Sequence, residues 1–186
     1  MRTLTRTSAV LGAAGLIVSG LVAATPGNAA TVSSTQTVKD ISLPNVTEIQ
    51  TSFKQSWFRN DLPVAGDHFH FTSNLRQDGN RVGKDSGDCT FQRIFVNSAG
   101  HRTAARVRCD VTFHFFKTGT LEILGSRTVN WNDFMNNDFK VTLPVVDGTN
   151  HFRRAGGTVT NQQLSETRAK LSFKLTDVIC NSLLCG

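Results

Sequence analysis

Val145 to Thr160 reads VVDGTNHFRRAGGTVT. Between Gly148 and Gly157, four of ten positions are glycine or alanine, and the three glycines alone exclude a helix interior, where each costs about 1 kcal/mol relative to alanine. The Asp147-Gly148 step is a turn signal, and the β-branched run Thr158-Val159-Thr160 suits a strand. The stretch therefore reads as a strand ending near 146, a tight turn, and a second strand whose entrance has almost no side chain.

The same period of two extends through the chain on either side. In RCDVTFHFF, Cys109, Val111, Phe113 and Phe115 share one face, while Arg108, Asp110, Thr112 and His114 share the other. HFHFTSNL places Phe69 and Phe71 opposite His68 and His70, and FKVTL and KLSFKL repeat the pattern through Phe139, Val141, Leu143 and Leu171, Phe173, Leu175. Turn clusters at 78–80, 98–100, 118–119, 136–137, 147–148 and 162–163 divide the alternation into eight strands, near 46–57, 67–77, 81–97, 101–116, 119–130, 137–146, 151–161 and 165–177. One oily and one wet face per strand, joined by short loops, predicts an all-β fold: an eight-stranded antiparallel barrel closed so that no edge is exposed. An open sandwich is the alternative.

The first 30 residues carry Arg2 and Arg6, an apolar run over 9–24 and a Pro-Gly break before small residues, the pattern of a secretory signal peptide cut after Ala29 or Ala30. Residues 31–45, rich in Ser and Thr, read as a flexible arm, 46–178 as the barrel domain and 179–186 as a tail. About 155 residues remain after cleavage, enough for one domain with a sizeable core. The protein is expected to be secreted, with no membrane contact once the leader is removed. Loss of the two leader arginines lowers the formal charge from +6 to +4, and the remaining basic residues alternate with acids, so no stripe for nucleic acid is present.

Export favours oxidation of the four cysteines, which can pair in three ways. Folding the chain about Ala99 brings Cys89 opposite Cys109, each ten residues away, which leaves Cys180 with Cys185. The competing zinc reading lacks close paired ligands around Cys89. His68, His70 and His114 share a face, but a solvated strand surface is the ordinary reading of that pattern, and no metal is expected.

Three blocks in order give the chain a resemblance. The stretch 143–160 is similar to the Pro-Val-x-Gly-Gly-Thr-Gly-x-Tyr/Phe-x-x-Ala-x-Gly-x-Val pattern of the allene oxide cyclase barrel-like and dirigent-like superfamily, through Pro144, Val145, Gly148, Thr149, Phe152, Ala155, Gly157 and Val159. Asp147 and Asn150 stand where that pattern has glycines, and asparagine tolerates positive φ best. GDHFHFTSNL resembles the family's Gly-Asp-x-x-x-Phe-Thr segment through Gly66, Asp67, Phe71 and Thr72, and RVGKDSGDCT its Val-Gly-x-x-x-Gly-x-Cys segment through Val82, Gly83, Gly87 and Cys89. The resemblance implies an eight-stranded barrel that takes a small apolar molecule and steers its cyclisation or coupling without a cofactor. It also implies assembly as a homodimer or homotrimer.

Parity places Phe53, Phe69, Phe71, Phe91, Phe113, Phe115, Ile123, Val141 and Phe173 inside, as a ligand-binding lining or a packed core. Relatives carry an active-site cysteine at the position of Cys89, which the expected disulfide would block, and a tyrosine near the position of Arg127. This chain contains no tyrosine, and Glu48 is a loose counterpart of their first-strand glutamate. Asp67 at a strand start, Asp133 in the long connection NWNDFMNND, and Arg127 are the catalytic candidates; that connection is expected to cap the barrel mouth. Two functions follow: a secreted cofactor-free cyclase or isomerase of natural-product type, or a non-catalytic carrier or extracellular interaction protein. A polar group inside the barrel favours the first, and an entirely apolar lining favours the second.

Overall fold

A computed structural model describes residues 37–57 and 61–180. Eight antiparallel strands close into a barrel in chain order: β1 Val38–Gln55, β2 His68–Gln77, β3 Asn80–Val96, β4 Arg102–Phe115, β5 Gly119–Asn130, β6 Lys140–Gly148, β7 Gly156–Ser165 and β8 Arg168–Ile179. The expected alternation decides the faces: on β4, Val111, Phe113 and Phe115 are buried, while Arg108, Asp110 and His114 between them are exposed.

The first strand begins earlier than the sequence suggested. Residues 38–45, expected as part of a flexible arm, pair with β8 from Val38↔Ile179 onward and close the barrel. Their Ser/Thr-rich composition hides this pairing because its reward, a partnered edge, lies in a strand about 130 residues later in the chain. Residues 1–30, expected as a signal peptide, and the tail position Cys185 lie outside the described residues. Among the described residues no helix is long and apolar enough to cross a membrane.

The small residues of 145–160 make the corner at one end. β6 stops at Gly148, a 3₁₀ turn over Asn150–Phe152 follows, and β7 starts at Gly156 rather than at 151. A side chain on Gly148 would run into the Phe152 carbonyl, and one on Gly157, whose φ is +108°, into the Lys174 carbonyl of β8. Asn150 holds φ +53°, as its place at a glycine position of the family pattern implied. The corner turns Phe152 inward, where it is fully buried with its ring 5.7 Å from that of Phe115. Phe115, Phe152, Phe173, Leu121, Leu175 and Val46 fill this end of the barrel.

The opposite end is built differently. A short helix, α1 Trp131–Met135, follows β5, its first turn capped by the Asn130 side chain, which accepts from the backbone N–H groups of Asn132 and Asp133. β5 and β6 pair only from Leu121↔Gly148 to Ile123↔Val145, so the seam between them parts toward this end. Cys89 and Cys109 face each other across β3 and β4 and are joined by a disulfide, as the spacing about Ala99 required. Cys180 is also disulfide-bonded.

Candidate functional site

Between the packed end and α1 the barrel holds a cavity of about 810 Å³. Its innermost wall is one residue from each of seven strands: Glu48, Asp85, Phe113, Ile123, Leu143, Val159 and Leu171. Bulkier neighbours one step further in on several of these strands, such as Phe115 and Phe173, belong to the packed end and form no part of the lining. The open end is ringed by Phe53, Trp57, Phe69, Phe134 and Phe139. These rings pack on one another and on the buried Phe91, with centroids 5.4–6.3 Å apart.

Two carboxyl groups lie in this apolar floor. Glu48 is 8 % exposed and Asp85 3 %. The Ser73 hydroxyl donates to Glu48 Oε1 at 2.9 Å, and Asn161 Nδ2 donates to Oε2 at 3.3 Å, so both Glu48 oxygens are held. Neither Asp85 oxygen has a hydrogen-bond partner, nor does Asn161 Oδ1. Burial pushes the Glu48 carboxyl above its ordinary range. Burial, with the neighbouring Glu48 charge added, pushes Asp85 up to about 8. No cation is among the groups that act on either acid: Arg127 lies toward the mouth, and Arg168, although it pairs with Ile49 beside Glu48, is exposed. At neutral pH Asp85 therefore retains its proton, which allows this buried carboxyl to donate one.

Both acids are legible in the strand pattern. Asp85 sits at inward parity in RVGKDSGDCT, between Gly83 and Gly87, where a charge breaks the rule of an oily inner face. Sequence reasoning passed over Asp85 and gave Glu48 only as a loose counterpart. Ser73 and Asn161, also at inward parity, went unnoticed because a single polar residue in an alternating strand carries no signal by itself.

The other sequence candidates are distributed as follows. Phe69, Phe71, Phe113, Ile123 and Val141 line the cavity, and so does Phe53. Phe91, Phe115 and Phe173 point inward but pack into the two hydrophobic clusters instead. Arg127 lines the mouth, where Nε donates to the Thr142 carbonyl at 2.7 Å and Nη1 to the Ser126 carbonyl at 2.9 Å, bridging the parted β5–β6 seam. Asp67 lies outside the cavity lining and fastens the approach to β2, accepting from Ser56 Oγ at 3.0 Å and from the Val64 N–H at 2.8 Å. Asp133 is exposed on the first turn of α1, also outside the lining. From the same connection, Phe134, Met135 and Asn137 border the mouth. His70 pairs with Asp88 at 3.0 Å on the outer face.

No family model and no curated protein matches the chain. Several solved structures do. A pyocyanin demethylase is similar over 73 % of this chain and all of its own, at 20 % identity and a TM-score of 0.59. A Diels-Alderase from Streptomyces koyangensis is similar over 75 % of this chain and 64 % of its own, at 15 % identity and 0.58. A pterocarpan synthase dirigent protein is similar over 75 % of this chain and 96 % of its own, at 16 % identity and 0.54. Closed strand order, a glycine-built corner and these likenesses agree: the chain shares the barrel fold of the Diels-Alderase and the dirigent protein, here with eight antiparallel strands.

Proposed function

We propose that this is a secreted protein that binds a small, largely apolar molecule in its barrel and steers its cyclisation or isomerisation without a cofactor. The observation that carries the reading is the buried Glu48–Asp85 pair in the floor of a cavity of about 810 Å³ whose aromatic and aliphatic walls are joined by polar side chains such as Gln50, Asn161 and Gln163. Apolar walls and an aromatic mouth restrict the conformations a bound molecule can adopt, which lowers the entropic part of a ring-closing barrier. A protonated carboxyl at the floor then activates an oxygen or alkene carbon that reaches it, and Glu48, held by Ser73 and Asn161, fixes the geometry of the pair. That the similar folds include a Diels-Alderase and a dirigent protein is consistent with cyclisation guided by a barrel. Export is supported by the leader pattern and the Cys89–Cys109 disulfide.

The test has two parts. N-phenyl-1-naphthylamine, an apolar fluorophore, is expected to bind saturably with one site per chain. A phenyl-substituted 4,5-epoxy alcohol, which closes to either of two ring sizes, is then expected to give a ring-size ratio and enantiomeric excess different from those in buffer. Asp85→Asn should return both to the buffer values while still binding the fluorophore. Fluorophore binding with buffer-like products throughout would leave the carrier reading in place, and no saturable binding would overturn both.

A further inference from the structure

We propose that the floor of the barrel is a cation-recognition site, and that the natural ligand carries a protonated nitrogen on its otherwise apolar body. The inference rests on the cavity reading above and adds the chemical class of what fills it. Three buried oxygen atoms have no hydrogen-bond partner: Asp85 Oδ1, Asp85 Oδ2 and Asn161 Oδ1. The orientation of the Asn161 amide follows from its bond to Glu48, because a carboxylate oxygen accepts and so must meet the Nδ2 side. Asn161 and Asp85 thus flank one carboxyl whose own two oxygens are already occupied. Once Asp85 is ionised all three orphans are acceptors, so a ligand that meets the carboxylate brings donors, and an ammonium group brings three of them.

Charge points the same way. Both acids are buried with no basic side chain among the groups that act on them. The groups packed around the pair are neutral: Ser73 on β2, Phe113 on β4 and Asn161 on β7. Arg127 stands four residues beyond Ile123 on β5, about 13 Å along the strand, and its guanidinium is bonded to two backbone carbonyls. Arg168 pairs with Ile49, one step from Glu48 in the β1–β8 register, but it stands at the outward parity of β8 beside the buried Ala169, is exposed, and is not among the groups that act on either acid. An entering cation supplies the opposite charge that the chain itself does not, and the pair ionises to meet it by releasing a proton to solvent. A neutral ligand of the same shape gains none of this.

Two size-matched probes test the inference: 1-naphthylmethylamine, protonated at neutral pH, and 1-ethylnaphthalene, which has no charge. By titration calorimetry the amine is expected to bind the intact chain at least about tenfold more tightly, the usual scale of a charge-assisted hydrogen bond in a buried site. Repeating the titration at pH 6.5 in buffers of different ionisation enthalpy should show proton release on amine binding. Asp85→Asn should abolish both the preference and the proton release while leaving 1-ethylnaphthalene binding unchanged, which also reports that the variant is folded and its cavity intact. Equal affinities for the two probes in the parent chain, or no proton release, would overturn the cation site and spare the cavity. Failure of both probes to bind would overturn the cavity reading itself.

Discussion

Asp85 is the residue on which most of the chemistry depends, and it also sets a pH dependence of folding. Its carboxyl is pushed up to about 8 in the folded chain from 3.8 as the reference, so between those values the folded state holds a proton that the unfolded state has lost. Stability contributed this way is full below pH 3.8 and declines as pH rises toward 8, the reverse of a salt-bridged aspartate. Urea melts should therefore show a chain more stable at pH 5 than at pH 8.5, and Asp85→Asn should flatten most of that slope and exceed the parent at the alkaline end. A parent whose stability rises over this range would mean that Asp85 is ionised and paired when folded. The glycines impose a second constraint at the same scale. Gly157→Ala forces a side chain into positive φ and against the Lys174 carbonyl, at a cost of about 1–3 kcal/mol, which should appear as a melting temperature lowered by several degrees. Gly79, with φ +81° but open space around it, should cost less when replaced by asparagine, which tolerates that conformation.

Among the elements, the β3–β4 pair joins the two ends of the barrel. Its long antiparallel register runs from Gly83↔Phe115 near the packed end to Val96↔Arg102 beyond the mouth, and the Cys89–Cys109 disulfide crosses it at cavity level. Closing a loop of 20 residues contributes about 3 kcal/mol in the chain-entropy view of disulfides. The double substitution Cys89→Ala and Cys109→Ala should lower the urea midpoint accordingly and leave N-phenyl-1-naphthylamine binding within a few-fold, since the cross-strand ladder fixes the register without it. Because Cys89 and Cys109 line the cavity, loss of binding in a variant that still folds cooperatively would show that the disulfide also makes contacts the ligand needs. This register was legible in the sequence through the turn residues at 98–100 and the alternation on both sides; two irregularities, at Phe95/Val96 and Phe91/Arg93, offset one another before the cysteines are reached, so the count about Ala99 holds. The seam between β5 and β6 was not. Its parting depends on where α1 sends the chain, and Arg127, which looks in the sequence like a candidate for chemistry, is recruited to bond the carbonyl of Thr142 across the gap.

The whole molecule divides into a packed half and a hollow half, with Phe113 at the boundary. That side chain is buried, stands edge-on to Phe173 at 5.2 Å between centroids, and also borders the cavity. Phe113→Trp should push its extra ring into the hollow half, reducing N-phenyl-1-naphthylamine affinity about tenfold while destabilising the fold by less than the roughly 1–3 kcal/mol typical of overpacking a filled core. Fluorescence titration and thermal melting of the same preparation separate these effects. A large loss of stability without loss of binding would show that the probe sits elsewhere.

What the sequence by itself determined is local and periodic: which side chains face inward, where the chain turns, that Cys89 meets Cys109, and that the small residues Gly148, Ala155 and Gly157 allow a sharp bend. Those properties are set by neighbours within one hairpin, where a period of two and the φ preferences of a few residues leave little choice. Tertiary structure alone decided that Phe115 and Phe173 fill one end while Phe69, Phe71 and Phe113 border a cavity, although the alternation describes all five alike. It alone decided that Glu48 of β1, Asp85 of β3 and Asn161 of β7 converge on one point. Parity says that a side chain points in, whereas the height of each strand around a closed barrel is set by the register of every pair in the ring, and only that sum places three distant polar residues together.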